Sequence, residues 1–264
     1  MPKLNLLYHV YPRPTATLIQ NLRRIGQAAP LFNGRCLFTI VEDAGTLPPA
    51  MIVERLKPAF AGQNPEFMVV KNYGSEARAL FDHLLPQIVS QREDEYTFFA
   101  HAKGTSSPKC DNPFVMVWNT LMYDHCLDSC KVLQAMEQYA CAGCFKNSVQ
   151  IPRGEQCDWH YSGTMFWINH ARVFSRRWLP PNRDRYAAEA WLGRFIPAVE
   201  AHCFFGEGVN ALYTLRPYQT IFPGSAGDEH IARLRRTAAI LYDECAKELR
   251  IWLGLDAHPQ SLHS

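Results

Sequence analysis

The sequence predicts an α/β protein built on a mainly parallel sheet, with flanking helices and a C-terminal helical segment. Three observations lead there. Over the first hundred residues, short apolar runs of strand type alternate with stretches of helical period, the pattern of βαβ units. The 264 residues are 47% hydrophobic and 20% charged, near the globular average, and a chain of this length buries about 70–75% of its unfolded surface. The 18 Pro and 15 Gly are scattered along the whole length, which excludes a coiled coil, and a net charge of only +2 beside that apolar content excludes a disordered chain.

Residues 4–11 form a buried-strand run that Pro12 and Pro14 stop. Thr15 or Thr17 caps a helix to about Ala29, with Leu18, Leu22 and Ile25 on one face. Residues 35–43 are a second strand ending in two carboxylates, Glu42 and Asp43. Pro49 to Phe60 has helical spacing, and Glu66–Lys71 is a third strand followed by the turn Asn72-Tyr73-Gly74. Ser75 opens a helix to about Gln91, and Tyr96–Ala100 is a fourth strand. Asn112–Gln138 reads as one long helix, Met165–Ile168 as a further strand, and Arg185–Phe195 and Asp228–Leu253 as helices. The last of these aligns Ile231, Leu234, Ala238, Leu241, Cys245 and Leu249 on a core-facing stripe. The segment 256–264 reads as a flexible tail, and the rest, 1–255, as one domain.

A parallel sheet places ligands at the carboxyl ends of its strands. The residues there are Tyr11–Arg13, Glu42–Asp43, Asn72–Arg78 and His101–Ser106. The exit of the first strand, Tyr11-Pro12-Arg13-Pro14, lacks the glycines of a dinucleotide fingerprint, and there is no phosphate loop and no Gly-x-Ser-x-Gly elbow. Dehydrogenases, common nucleotide hydrolases and α/β hydrolases in their usual forms are thereby removed. The charge balance gives no field for nucleic acid, no apolar run is long enough to span a membrane, and no signal-peptide core follows Met1, so a cytoplasmic protein is expected. The basic cluster Arg172, Arg176, Arg177, Arg183 and Arg185 reads as a solvated surface. Nine cysteines in such a chain read as buried free thiols. Cys126-x3-Cys130 and Cys141-x2-Cys144, with Cys110 and Cys157, offer the alternative of a zinc site.

Four segments resemble a group of bacterial glycosyltransferase-like proteins, distantly similar to rhamnan-synthesis glycosyltransferases. They are Lys71-Asn72-Tyr73-Gly74-Ser75-Glu76-Ala77-Arg78, Phe98-Phe99-Ala100-His101-Ala102-Lys103-Gly104-Thr105-Ser106, His160-Tyr161-Ser162-Gly163-Thr164-Met165-Phe166-Trp167 and Arg185-Tyr186-Ala187-Ala188-Glu189-Ala190-Trp191-Leu192. The ordered set spans about residues 4–205. The resemblance implies a GT-A-like, Rossmann-like fold: a nucleotide-binding half over about 1–108 merging into an acceptor-binding half over about 109–255. It also implies transfer of a sugar from a nucleotide-sugar donor to a glycan or other hydroxyl acceptor, with no nucleic acid and no integral membrane segment involved.

Carried onto this chain, the resemblance places Asp43 where an early strand-end carboxylate meets the nucleobase or ribose. Asn72 and Gly74 form the turn after the third strand, with Arg78 aimed at the diphosphate. Such enzymes commonly hold a divalent cation with Asp-x-Asp after the fourth strand, but this chain has His101-Ala102-Lys103. A protonated lysine cannot ligate Mg²⁺ or Mn²⁺. Lys103 instead neutralises the leaving diphosphate, with Thr105 beside it, in a metal-independent, inverting displacement; Asp-x-Asp being absent, no cofactor is firmly implied, a divalent cation (Mn²⁺ or Mg²⁺) being the alternative. Glu189, in an apolar stretch, is the expected base, and Ser162-Gly163 the small residues that admit a sugar. His202 resembles a late histidine that contacts phosphates. The expected catalytic residues are thus Glu189 and Lys103, and the expected substrate-binding residues are Tyr11, Asp43, Asn72, Gly74, Arg78, His101, Thr105, Ser162, Gly163 and His202. The rival readings are a non-catalytic glycan- or nucleotide-binding relative and a cysteine-ligated zinc interaction protein.

Overall fold

Every residue from Leu4 to Val10 is buried, as a strand covered on both faces requires, and this run forms β1 (Lys3–Val10) in the interior of a seven-stranded sheet. The computed structural model describes residues 1–72, 78–105, 112–152, 156–181, 186–209 and 215–255. The expectations for Gly74, Ser106, Cys110, Arg185 and the tail 256–264 lie outside these residues.

α1 (Ala16–Gln27) starts where Thr15 accepts the Leu18 N–H in its hydroxyl oxygen at 3.1 Å. β2 (Cys36–Glu42), α2 (Pro49–Leu56), β3 (Glu66–Lys71) and β4 (Glu95–His101) follow. The strand order is β3-β2-β1-β4-β8-β5-β9, where β5 is Cys141–Cys144, β8 Phe166–Asn169 and β9 Ala201–Phe205. β1–β4 are mutually parallel. β8 runs antiparallel between β4 and β5, and β9 is parallel to β5 at the edge. Two short strands, β6 (Lys146–Asn147) and β7 (His160–Tyr161), pair beside it.

The sheet separates two cores. On one face Tyr8, Phe38, Phe98 and Trp167 pack with α1, α3 (Pro113–Cys126), α4 (Ser129–Gln138) and α8 (Gly224–Trp252). On the other, Leu7, Phe99, Phe166 and Ile168 pack with residues 80–88, α5 (His170–Phe174) and α6 (Ala187–Ala190). α7 (Leu215–Ile221) precedes α8, whose stripe Ile231, Leu234, Ala238, Leu241, Cys245 and Leu249 faces the first core as expected. Among the described residues, no helix is long and apolar enough to cross a membrane.

Three expectations are corrected, and two strands were not expected. The single helix over 112–138 is two, because Asp128 caps a new helix by accepting the Lys131 N–H. The described part of the segment 75–91 changes pitch: Leu85 N–H reaches back to Leu80, and Pro86, lacking an N–H, tightens the next turn. The helix over 185–195 shortens to α6 and a single tight turn, Leu192–Arg194. β5 and β9 were missed, since Cys-Ala-Gly-Cys has no β-branched residue and is a strand because β8 and β9 pair with it.

Candidate active site at the carboxyl ends of the strands

From β1 the chain moves outward to β2 and β3, and only β4 returns to the other side of β1, so the sheet's direction of growth reverses between β1 and β4. A crevice outside the carboxyl ends at such a point is where open α/β sheets bind ligands. The Ala102 N–H donates to His9 carbonyl oxygen at 2.8 Å, extending the β1–β4 ladder by one residue. Gly104, at φ +82°, then turns the chain in a left-handed conformation that suits glycine. The turn is fixed from three sides. Asn21 of α1 and Asn119 of α3 donate to Lys103 carbonyl oxygen at 3.0 and 3.1 Å, and Thr105 Oγ1 donates to Ala102 carbonyl oxygen at 2.9 Å.

The Lys103 side chain is thereby sent across the end of the sheet, between a helix of each core. Its ammonium lies 4.8 Å from the ring centroid of Trp118 on α3 and 3.3 Å from Glu189 Oε1 on α6. Both side chains are almost wholly buried, at 6% and 8% exposure. The same oxygen of Glu189 accepts the Gly163 N–H at 3.1 Å. Gly163 has φ +110°, and a Cβ there would come within 2.8 Å of Met122 Sδ, so position 163 requires glycine. Three separately expected residues, Lys103, Gly163 and Glu189, therefore meet in one place. Glu189 sits against an ammonium and a backbone donor, not amid apolar groups alone. Ser162 and Thr105 are buried beside them in the chain.

A second cluster lies on the same rim, beyond β1, β2 and β3. Asp43 Oδ2 accepts from Tyr11 hydroxyl at 2.9 Å and Asn72 Nδ2 at 2.8 Å, and Oδ1 accepts the Ala44 N–H at 2.8 Å. The bonds from Asn72, Tyr11 and Ala44 hold this carboxyl below the usual aspartate range although it is fully exposed. Arg13 stacks over the Tyr11 ring at 5.7 Å. Asp43, Tyr11 and Asn72, all expected, are thus one preassembled polar platform.

Two expected residues stand apart. Arg78 is locked to Asp82 by a two-pronged ion pair, Nε to Oδ2 at 2.8 Å and Nη2 to Oδ1 at 2.7 Å. His202 lies on β9, level with Phe98 and three strands from β4, roughly 14 Å across the ladders. The structure does not bring it to Lys103. His101 ends β4, buried, opposite His9 in the ladder. His9 in turn hydrogen-bonds Thr39 at 2.7 Å through Nδ1. The sequence reading missed Trp118, Asn21 and Asn119. Asparagines amid the apolar residues of their helices are the one sequence signal for Asn21 and Asn119, and Trp118 carries none.

Among the described residues, the cysteines do not assemble as a zinc site. Cys141 faces one core and Cys144 the other, so the x2 pair diverges across the sheet, and Cys130 is exposed. Cys126 and Cys144 sulfurs do meet, 3.5 Å apart. Among the described residues, no three His, Cys, Asp or Glu side chains converge as a metal site. Comparison with known proteins adds no family: no family model matches the chain, and no curated protein matches it.

Proposed function

We propose that this chain is a GT-A-like glycosyltransferase that moves a sugar from a nucleoside diphosphate sugar to a hydroxyl acceptor. The observation that carries the reading is the convergence of Lys103, Gly163 and Glu189 at the strand-order reversal, beside the Asp43 platform. The platform suits the nucleoside. An ionised carboxylate accepts a base N–H or a ribose hydroxyl, and the Tyr11 ring offers a stacking face.

The Lys103–Glu189 pair suits the chemistry in two states. With no donor present each charge compensates the other. A diphosphate entering the site draws the ammonium onto its own oxygens, where it stabilises the departing negative charge. The released Glu189 carboxylate then takes the proton of the acceptor hydroxyl as the new glycosidic bond forms. The low exposure of the pair favours a second reading, a nucleotide-binding relative without transfer activity, in which the two charges only compensate each other.

Calorimetric titration with nucleoside mono- and diphosphates, with EDTA and then with Mn²⁺, tests the reading, followed by assay of sugar release from nucleotide sugars. The double substitution Lys103→Met/Glu189→Gln removes both charges and keeps an acceptor for the Gly163 N–H. Diphosphate binding in EDTA that is lost in the double variant, with sugar release, supports the transferase. Binding without turnover supports the second reading, and no nucleotide binding overturns both.

A further inference from the structure

The structure leaves His202 without a place at the strand-end site, yet gives it a setting of its own. α4 presents Lys131, Gln134 and Gln138 along one face, and the chain leaves that helix at Tyr139 to enter β5. Opposite lies the edge strand β9, held in place where Tyr161 hydroxyl donates to His202 carbonyl oxygen at 2.6 Å. Between α4 and β9 is an open cleft of about 210 Å³, lined by Lys131, Gln134, Gln138, Tyr139, His202 and Phe204. Its volume is below the range of about 300–1,000 Å³ typical for drug-sized ligands, so it suits a single ring.

The wall is aromatic and continuous. The Tyr139 and His202 rings lie 4.9 Å apart at 30°, and the His202 and Phe204 rings 5.3 Å apart at 81°. The opposing side is amide. The Gln134 and Gln138 side chains make no hydrogen bond among the described residues, so each offers a free donor and acceptor toward the cleft. Among the described lining residues the one cation is Lys131, which pairs with Asp128 at 3.1 Å on the surface. Burial, then Lys146, pushes the His202 imidazole down, so it is neutral at pH 7 and can both donate and accept. Ring faces beside neutral two-way hydrogen-bonding groups suit a pyranose, with apolar C–H faces and a belt of hydroxyls.

We infer that the α4–β9 cleft is a saccharide-binding subsite, separate from the strand-end site, that stacks a neutral pyranose on Tyr139, His202 and Phe204 and reads its hydroxyls with Gln134 and Gln138. The inference does not depend on transferase activity, since a glycan-binding relative would use the cleft equally.

Saturation-transfer NMR on the intact chain tests it, with the methyl glycosides of D-glucose, D-galactose, D-mannose and N-acetyl-D-glucosamine as probes. The expected result is transfer to the ring C–H protons of at least one glycoside. Gln134→Ala/Gln138→Ala, exposed positions that leave the fold intact, should weaken its binding by about five- to tenfold. Phe204→Ala should do the same, while nucleoside diphosphate titration is unchanged in both variants. No transfer from any of the four glycosides overturns the inference, as does transfer undiminished in the glutamine variant. Broadening of the β9 amides with rising protein concentration, with no sugar signal, overturns it too by marking the edge as a self-association surface.

Discussion

Two carboxylates on the same rim of one sheet are held in opposite ways. Glu189 is buried with its counter-charge and accepts the Gly163 N–H, so its surroundings depend on it as much as it depends on them. Asp43 is exposed and takes three hydrogen bonds from groups that water would satisfy equally well if it were absent. The first arrangement ties function to stability, because neither charge can be removed or withdrawn alone without cost. The second leaves function free to vary. A buried pair at the carboxyl ends of the strands is therefore a stored choice: any group that supplied a new partner for Lys103 would change the state of Glu189.

The largest effect should come from breaking that pair from one side. Glu189→Ala removes the carboxylate from a buried ion pair, and should cost about 3–5 kcal/mol of unfolding free energy in urea. Lys103→Met/Glu189→Gln removes both charges and should return stability close to that of the parent chain, since a buried pair contributes little net once its desolvation is counted. A loss below about 1 kcal/mol in Glu189→Ala would mean that water reaches the site, and the contrast with Asp43 would collapse.

The opposite end of the sheet sharpens the contrast at somewhat smaller scale. There His170 closes a ring of hydrogen bonds: its two nitrogens meet Ser90 Oγ at 2.8 Å and Thr97 Oγ1 at 2.7 Å, and Ser90 and Asn5 both donate to Glu95. Burial, outweighing the attraction of Glu95, pushes the imidazole down to about 4. The ring is neutral in the fold while the unfolded chain takes up its proton near pH 6.5, so the unfolded state binds more protons between these values. Stability should accordingly fall as pH drops from 6.5, by about 3 kcal/mol at pH 4 from this residue. The His170 ring resonances should titrate only near pH 4. Titration near 6.5 would show the circuit open to water.

What the sequence disclosed follows from where its signals are local. Strands β1–β4 were legible because each is an apolar run closed by proline, charge or glycine, and their carboxyl ends then named Lys103, Asp43, Asn72 and Tyr11. β5 was not, because Cys141-Ala142-Gly143-Cys144 has no intrinsic strand preference and forms by pairing on both sides. Trp118 was hidden for a similar reason. Its spacing on α3 is that of any core residue, and only the turn at Gly104 puts a cation against it. His202 was assigned to phosphate by resemblance alone, and the strand order, unreadable without β5 and β9, takes it to the far edge.

The smallest effect on stability, and the most informative for function, belongs to Asp43→Asn. Every group that bonds Asp43 is itself on the surface, so the urea midpoint should not move. Nucleoside diphosphate binding should weaken by about tenfold, because a neutral amide replaces a charge-assisted acceptor and turns half of its capacity into donors. Tyr11→Phe removes one of the three bonds that orient the carboxylate and leaves the stacking face, so binding should weaken by only about two- to threefold. The two variants together separate acceptance of a nucleoside hydrogen from mere orientation of the strand ends. If Asp43→Asn lowered the urea midpoint and left nucleotide affinity unchanged, the platform would be a structural clasp. The division of labour between the two carboxylates would then be reversed.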